Sequence, residues 1–296
     1  MSDRDRVLIA VNAVAGATSS REVVEQLETL LAYRGWHFEL QTDLAEVSRL
    51  ANAWQEAGRL RAVIGVGGDG TAAALLNATG PGVPITLLAR GTENLLAKHC
   101  RMGFSPESVV EILATGQPRS FDAGVANGRL FVLMASCGFD AEVIARLHTS
   151  RAGHIRHWSY VRPILDAILA YDYPPLTIRM SFANGTEETI QSRWLFAFNL
   201  PCYAFAIGLA PRADGCDGLL DACAFEQGSF WHGLRYLTAV TSGRHEQLAD
   251  CRTARVRRMR IESPRPVPYQ VDGDPGGVLP LEIEVLPGRM TLLLPE

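Results

Sequence analysis

The chain has 296 residues, of which 47% are hydrophobic and 20% are charged, and its formal net charge is -4. A polypeptide of this length and apolar content folds into a globular protein with a substantial core, more readily as two domains than as one. The slightly acidic balance argues against a general nucleic-acid-binding surface. We therefore expect no nucleic-acid partner.

Six cysteines are spread along the chain without a C-x-x-C pair, and the N-terminus lacks the pattern of a secretion signal. These features predict a cytoplasmic protein with reduced thiols. The most apolar stretches, such as FVLMASCGF and WLFAFNL, fall short of the roughly 20 apolar residues that span a bilayer. Any contact with a membrane is therefore expected to be peripheral.

The first half of the chain alternates between strand-like and helix-like segments. The strand patterns are VLIAV, HFELQT, RAVIGV and PITLLA. Helix patterns lie near 20–34, 43–58 and 92–99, and another runs from Pro106 to Gly116. This order is typical of a parallel α/β domain. We expect one α/β domain, of the size of a nucleotide-binding domain, over residues 1–124.

After residue 124 the pattern becomes mainly β. Asn-Gly pairs at 127–128 and 184–185 each separate two strand-like runs, which is the preferred two-residue hairpin signal. Helices are expected near 140–148, 155–172 and 229–242. The second domain, residues 125–296, is therefore predicted to be β-rich, and its last strand can pack back on the first domain.

The segment VIGVGGDGTAAALLN places a glycine-rich loop between a strand and a helix. At the carboxyl end of a parallel strand, Gly67, Gly68 and Gly70 allow positive φ and close backbone approach, so that N–H groups can point at a phosphate. The helix start near Thr71 adds unpaired donors. Asp69 would repel a phosphate unless it faces a magnesium ion or holds loop donors in place. The alternative is a tight strand-to-helix turn with Asp69 as a cap, and the loop matches neither the Walker nor the G-x-G-x-x-G pattern.

The loop GGDGT resembles the nucleotide loop of the diacylglycerol kinase catalytic-domain family, which includes sphingosine and ceramide kinases; NAD kinases carry a similar loop. Other segments resemble motifs of this family in family order: VNAVAG (11–16), ARGTENLLAKH (89–99), CGFDAEVI (137–144), DGLLDACAF (217–225) and VDGDP (271–275). The chain is thus similar to bacterial-type lipid kinases over nearly its whole length. The resemblance implies a diacylglycerol-kinase-like and NAD-kinase-like α/β domain, followed by a mainly β, sandwich-like domain for the lipid substrate.

The resemblance also implies that ATP is the phosphate donor. The family's nucleotide contacts correspond to Asn12, Thr42, the loop Gly67–Thr71 and Thr92. Each of the three outlying side chains has an alternative role, because a short polar side chain at these places can cap the helix that follows it. Capping and phosphate contact are compatible, since both use a polar group at a helix start.

Asp214 and Asp217 lie three residues apart in RADGCDGLL. The matching family positions hold Mg²⁺ through the Asp217 side chain and backbone groups near Asp214 and Leu219, so the resemblance implies a magnesium site here. Hard cations prefer such oxygen ligands. From the residues alone, the alternative is a turn that leads into a strand, with solvated aspartates.

Asp274 stands where the family has the Glu of its Asp-Gly-Glu motif. It is the implied general base, which accepts the proton of a lipid hydroxyl as that oxygen attacks the γ-phosphate. Asp272 is a competing candidate, and a β-turn with exposed aspartates is the alternative. The sequence departs from the family pattern in two ways: Asp is one methylene shorter than Glu, and Leu95 stands where many members have Asp after Asn94.

The leading hypothesis is an ATP-dependent lipid kinase that acts on a lipid alcohol such as diacylglycerol or a sphingoid base. The rivals are a soluble NAD-type kinase and a catalytically weak family member that binds lipid or nucleotide without turnover. The basic and aromatic stretch at 146–162 is expected to meet the membrane surface, unless it is a solvated helical face. The basic run at 251–263 is expected to be mostly an exposed strand. A homodimer is compatible with the sequence.

Overall fold

A computed structural model describes residues 4–11, 19–149, 171–203 and 208–296. The chain divides into two compact units, the first made of Met1–Ala123 with Pro287–Glu296 and the second of Gly124–Leu286. No helix within the described ranges has the length and apolar character needed to cross a membrane. None of the six cysteines, all of which lie in those ranges, forms a disulfide.

A parallel sheet forms the centre of the first unit. Its strands are β1 (Arg6–Val11), β2 (His37–Gln41), β3 (Leu60–Gly67), β4 (Pro84–Ala89) and the end of β16 (Leu281–Leu294). They pair in the order β2-β1-β3-β4-β16, with every neighbouring pair parallel. Leu8, Ile9 and Ile64 are fully buried, as expected for parallel strands that are covered on both faces. The predicted α/β organisation is confirmed.

The helices described in this unit are α1 (Ser19–Tyr33), α2 (Leu44–Glu56), α3 (Asp69–Ala78), α4 (Leu95–His99) and α5 (Pro106–Thr115). Helix α5 begins at Pro106 as predicted, and its N-cap Ser105 accepts a hydrogen bond from the Ser108 N–H at 3.3 Å. The expected helix at 92–99 begins only at Leu95, because Asn94 adopts the left-handed conformation with φ 52°. The predicted start of this helix is therefore wrong.

The second unit is built from antiparallel strands. One sheet contains β7 (Met134–Gly138), β10 (Trp194–Phe198), β11 (Leu220–Phe225), β12 (Cys251–Val256), β14 (Pro268–Val271) and β15 (Asp274–Val278). Other strands are β5 (Gln117–Ala126), β6 (Arg129–Phe131), β8 (Leu176–Ser181), β9 (Glu187–Ser192), β13 (Arg258–Glu262) and the start of β16. The orders are β12-β11-β10-β7-β14-β15 and β16-β13-β8-β9. Buried side chains of both groups, among them Leu195 and Ile261, form one apolar core. The predicted β-rich, sandwich-like domain is confirmed.

The connections in this unit follow their sequence signals in part. Asn127 and Gly128, with φ 46° and 86°, join β5 to β6 in the predicted hairpin. The connection between β8 and β9 is longer than predicted, since the Phe182 N–H donates to the Thr186 carbonyl at 2.9 Å. The helices α6 (Phe139–Thr149) and α7 (Phe230–Thr241) occupy two predicted ranges, whereas the helix expected near 155–172 lies almost wholly outside the described residues.

Candidate active site

Three of the predicted nucleotide contacts follow the carboxyl ends of strands in the parallel sheet. Thr42 follows β2, the loop Gly67–Thr71 ends β3 and opens α3, and Thr92 follows β4. Because the carboxyl ends of parallel strands meet at one edge of a sheet, the fold brings these segments to the edge where open α/β sheets bind ligands. Asn12 directly follows β1 and lies outside the described residues.

The glycines of the loop serve close packing. None of Gly67, Gly68 and Gly70 has a positive φ, so that part of the prediction is wrong. A Cβ on Gly67 would lie 2.0 Å from the Thr71 Oγ1, and a Cβ on Gly68 would lie 2.9 Å from the Cα of Gly91. A Cβ on Gly70 would meet no described heavy atom within 4 Å. Gly70 therefore leaves open space beside the first turn of α3, where unpaired N–H groups attract anions.

The Asp69 carboxylate is bound by the start of helix α4. Its Oδ2 accepts a hydrogen bond from the Leu95 N–H and its Oδ1 accepts one from the Leu96 N–H, each at 2.9 Å. These donors belong to the first turn of α4, so Asp69 caps that helix from another segment of the chain. Asp69 therefore both holds loop donors and acts as a cap, although the helix that it caps is α4 and not the helix α3 that it begins.

The Asn94 side chain closes the loop after β4 by pairing with the backbone of Gly91. The Asn94 Oδ1 accepts from the Gly91 N–H and its Nδ2 donates to the Gly91 carbonyl, both at 2.8 Å. Thr92 stays exposed and does not cap α4. Helix α2 is likewise capped by Asp43, whose carboxylate accepts from the Ala45 N–H at 2.8 Å. The capping alternatives for Thr92 and Thr42 are therefore wrong, and both residues are exposed at the sheet edge.

In the second unit, the Asp272 side chain has a structural role. Its carboxylate accepts hydrogen bonds from the N–H groups of Val132, Leu133 and Met134 at 2.7, 2.8 and 3.0 Å. Burial raises the pKa of Asp272 to about 6, although these three N–H groups pull it down. With its oxygens held by three backbone donors, Asp272 is poorly placed to take a proton from a substrate.

Asp274 has a different environment. Its side chain is 48% exposed, and its Oδ2 accepts a hydrogen bond from the Arg129 Nη2 at 2.9 Å. Gln270 holds the turn between the two aspartates, because its Oε1 accepts from the Gly273 N–H at 2.8 Å. Asp274 thus combines a fixed backbone with an accessible carboxylate, so a substrate can approach its oxygens. Sequence reasoning missed Arg129 and Gln270.

Gln270 also joins this turn to the segment CGFDAEVI. Its Nε2 donates to the Ser136 Oγ at 2.9 Å and to the Asp140 Oδ2 at 3.2 Å. Tyr203 donates a further hydrogen bond to Asp140, and burial raises the pKa of Tyr203. A buried polar network therefore fixes the base of the turn that carries Asp274.

The aspartates of RADGCDGLL form local turns. The Asp214 Oδ1 accepts from the Cys216 N–H at 3.1 Å, and the Asp217 Oδ1 accepts from the Leu219 N–H at 2.9 Å. Asp217 also forms an ion pair with Arg255. This arrangement matches the turn-forming alternative, in which aspartates accept from backbone N–H groups two residues on.

These aspartates line a cavity of about 550 Å³ together with Asp221, Glu246, Arg212 and Arg255. The Asp221 Oδ2 is buried without a hydrogen-bond partner, and burial raises the pKa of Asp221. Mg²⁺ prefers oxygen ligands such as carboxylates, and a carboxylate oxygen without a hydrogen-bond partner is available to bind one. Within the described residues, however, no three or more His, Cys, Asp or Glu side chains are gathered as a metal centre. Carboxylate oxygens are suitable ligands for Mg²⁺, but the carboxylates that line this cavity do not converge on one point.

Comparison with known proteins covers both units. Residues 6–126 match the diacylglycerol kinase catalytic domain, and residues 134–294 match the YegS C-terminal NAD kinase beta sandwich-like domain. A diacylglycerol kinase of Mycobacterium tuberculosis (strain ATCC 25618 / H37Rv) is 30% identical over 243 residues, covering 79% of this chain and 77% of that protein. A Pseudomonas fluorescens protein named "Probable lipid kinase YegS-like" is 28% identical and covers 100% of this chain and 97% of its own length.

Solved structures support the same fold. A diacylglycerol kinase from Bacillus anthracis str. Sterne superposes with a TM-score of 0.67 at 17% identity, covering 98% of this chain and 97% of that one. An NAD kinase from Archaeoglobus fulgidus gives a TM-score of 0.53 at 14% identity over 98% and 94% of the two chains. The two domain matches and the mycobacterial relative go beyond the fold: this chain belongs to the diacylglycerol kinase and YegS family of lipid kinases.

Proposed function

We propose that this kinase transfers the γ-phosphate of ATP to the hydroxyl group of diacylglycerol, with Asp274 as the general base. The observation that carries the proposal is the contrast between the two aspartates of VDGDP. Asp272 is tied to three backbone N–H groups, whereas Asp274 is half exposed on a turn that Gln270 and Arg129 hold. An ionised carboxylate on a fixed turn can accept the hydroxyl proton as the lipid oxygen attacks phosphorus.

The nucleotide side of the proposal depends on the sheet edge of the first unit. Backbone N–H groups at the start of α3, beside the open space at Gly70, would receive the phosphates. The exposed hydroxyls of Thr42 and Thr92 would bind other parts of ATP. A Mg²⁺ ion bound to the phosphates would offset their charge. A Mg²⁺ ion bound at Asp214, Asp217 and the Leu219 backbone would order the turn before β11.

Diacylglycerol is the first candidate acceptor because a relative with 30% identity carries that name. A sphingoid base is the second, since Leu95 occupies a position where the family resemblance leads one to expect an acid. Both are lipid alcohols, so the same base chemistry serves either substrate. The enzyme therefore has to meet its acceptor at a membrane surface.

The test is transfer of labelled phosphate from ATP to a panel of lipids in mixed micelles, with and without Mg²⁺. The panel contains diacylglycerol, sphingosine, ceramide and monoacylglycerol, and soluble NAD serves as a comparator. We expect the diacylglycerol product to form fastest and only in the presence of Mg²⁺. Phosphorylation of NAD with none of any lipid would contradict the proposal, and so would ATP binding without any lipid-dependent turnover.

A further inference from the structure

Helix α7 exposes a stripe of large apolar side chains. Phe230, Trp231, Leu234 and Leu237 are exposed to 37%, 73%, 49% and 51%. At 3.6 residues per turn, these four positions fall within about 120° of the helix circumference. Single exposed apolar residues are normal on protein surfaces, but a contiguous stripe of four marks an interaction surface.

The polar groups on this stripe are satisfied within the helix itself. The Thr238 Oγ1 donates to the Leu234 carbonyl at 2.7 Å, and the Thr241 Oγ1 donates to the Leu237 carbonyl at 2.9 Å. These hydroxyl groups can therefore leave water without losing their hydrogen bonds. The stripe is suited to an apolar environment over its whole length.

The opposite side of α7 packs against the sheet, so the helix cannot rotate to bury the apolar stripe. Tyr236 and Val240 are 3% and 6% exposed. The Tyr236 ring stacks on Phe225 with 4.4 Å between centroids, and its hydroxyl donates to the Asp250 Oδ2 at 2.6 Å. A Cβ on Gly233 would lie 3.3 Å from the Trp194 ring, so the helix packs closely against the sheet.

The charge around the stripe favours an anionic partner. Between Gln227 and His245 the sequence contains Arg235, Arg244 and no acidic residue. The acids just outside this segment, Glu226 and Glu246, pair with Arg252 and Arg212. Arg235 pairs with Asp250, while Arg244 is exposed just beyond the end of the helix. Basic residues beside an apolar helix face are typical of helices that lie in the interface of an anionic membrane.

We infer that the apolar stripe of α7 docks this protein on the surface of a lipid bilayer. The inference rests on the proposed function, because an enzyme that phosphorylates a lipid alcohol must reach an acceptor that resides in the bilayer. Trp231 and Phe230 would lie at the headgroup level and the leucines would reach the acyl boundary. The residues of this stripe differ from the stretch at 146–162 that the sequence suggested, and most of that stretch lies outside the described residues.

The test is flotation of the full chain with vesicles of phosphatidylcholine, with or without phosphatidylglycerol. The triple variant Trp231→Ser, Leu234→Ser, Leu237→Ser is compared with a control that carries Tyr33→Ser and Phe104→Ser, since those side chains are also exposed, to 85% and 46%. We expect the triple variant to bind anionic vesicles at least about tenfold more weakly, while the control binds like the wild type. Circular dichroism and Tm establish that each variant is folded.

Activity separates docking from chemistry. On a short-chain diacylglycerol that is soluble as monomers, the triple variant should turn over like the wild type, whereas on vesicle-borne diacylglycerol it should lose most of its activity. Wild-type flotation that depends on α7 without phosphorylation of any lipid would support docking and overturn the proposed function. Equal flotation of the triple variant would overturn the docking inference. So would conversion of a dimer into a monomer with vesicle binding unchanged, since the stripe would then bind a second copy of this chain.

Discussion

Arg129 and Asp274 lie 145 residues apart in the sequence, yet the Arg129 Nη2 donates to the Asp274 Oδ2 at 2.9 Å. Arg129 begins β6 and Asp274 begins β15. The two side chains are 38% and 48% exposed, so the pair orients the carboxylate without burying it. Asp274 is shorter than the Glu of the family motif, and this partner fixes the position of the shorter acid.

Asp274→Asn is expected to lower kcat by about 10²-fold or more, because the amide cannot accept the hydroxyl proton. ATP affinity and Tm should stay near those of the wild type, since Asp274 is half exposed and a general base contributes mainly in the transition state. Steady-state kinetics, ATP titration and thermal unfolding measure the three quantities. Turnover close to that of the wild type would remove Asp274 from the mechanism.

Asp274→Glu is expected to lower kcat severalfold, because the turn is fixed by Asp272 and Gln270. A longer side chain on that fixed turn has to displace Arg129 or crowd the phosphate. The same kinetic assay measures this effect. An increase in kcat would mean that Asp274 is a less effective base than the Glu that the family has at this position.

Arg129→Ala is expected to lower kcat about tenfold with a small change in the KM for lipid, because it positions the base and does not bind the acceptor. Exposed ion pairs contribute less than about 1 kcal/mol, so Tm should fall by less than about 4 °C. Arg129→Lys should restore part of kcat. The matched control is Arg258→Ala, which breaks the exposed pair with Glu282 at 2.8 Å and should leave kcat unchanged. Equal kcat in both alanine variants would contradict the positioning role.

Asp272 is expected to make stability depend on pH. Its folded pKa of about 6 lies above the value of about 3.9 for an unfolded aspartate. Its contribution to the free energy of unfolding is therefore fully present below about pH 4 and is lost as the pH rises through about 6. Between pH 4 and 7, the free energy of unfolding of the wild type should fall by about 2 kcal/mol relative to that of Asp272→Asn.

Chemical denaturation of both proteins at each pH measures this difference, and the titrations of other groups cancel in the comparison. Asp272→Asn should also be less stable at every pH, because the amide nitrogen replaces one carboxylate oxygen and cannot accept the hydrogen bonds which that oxygen receives. If the stability advantage of the wild type over Asp272→Asn grew with pH, folding would lower the pKa of Asp272 instead of raising it. Loss of turnover without any loss of stability would move the general base to Asp272.

Gly70→Ala and Gly67→Ala form a matched pair on the glycine loop. A Cβ at Gly70 meets open space, whereas a Cβ at Gly67 collides with the Thr71 Oγ1 at 2.0 Å. Gly70→Ala should keep or slightly raise Tm, since alanine favours helix, but should weaken ATP binding about tenfold by occupying the phosphate path. Gly67→Ala should lower Tm substantially. Unchanged ATP affinity in Gly70→Ala would contradict a phosphate site at the start of α3.

Features with a local signal were predictable from the sequence. Pro106 and Gly116 bound α5 because one favours a helix start and the other a helix end. Asn127-Gly128 forms its hairpin because both residues tolerate a positive φ. For the glycine loop, the sequence predicted small residues and gave positive φ and close backbone approach to a phosphate as the reasons. It did not predict that Thr71 excludes a side chain at Gly67, because that contact is a matter of packing.

Features that depend on distant partners were not predictable. No periodicity connects Arg129 with Asp274, or Asp272 with the backbone of Val132. Helix α7 has apolar residues on both its buried and its exposed side. Its hydrophobic pattern therefore indicates a helix without indicating which side faces outward.

The hydrogen bonds of Asp69 change the electrostatics of the loop in which it lies. A bare carboxylate beside a phosphate would repel it, and water would have to be drawn in to screen the two charges. Here the charge is already solvated by the Leu95 and Leu96 N–H groups. Peptide dipoles already offset part of this charge, so a phosphate at the start of α3 would meet less repulsion from Asp69 than from a bare carboxylate. A negative residue is thus compatible with the anion-binding role that we propose for this loop.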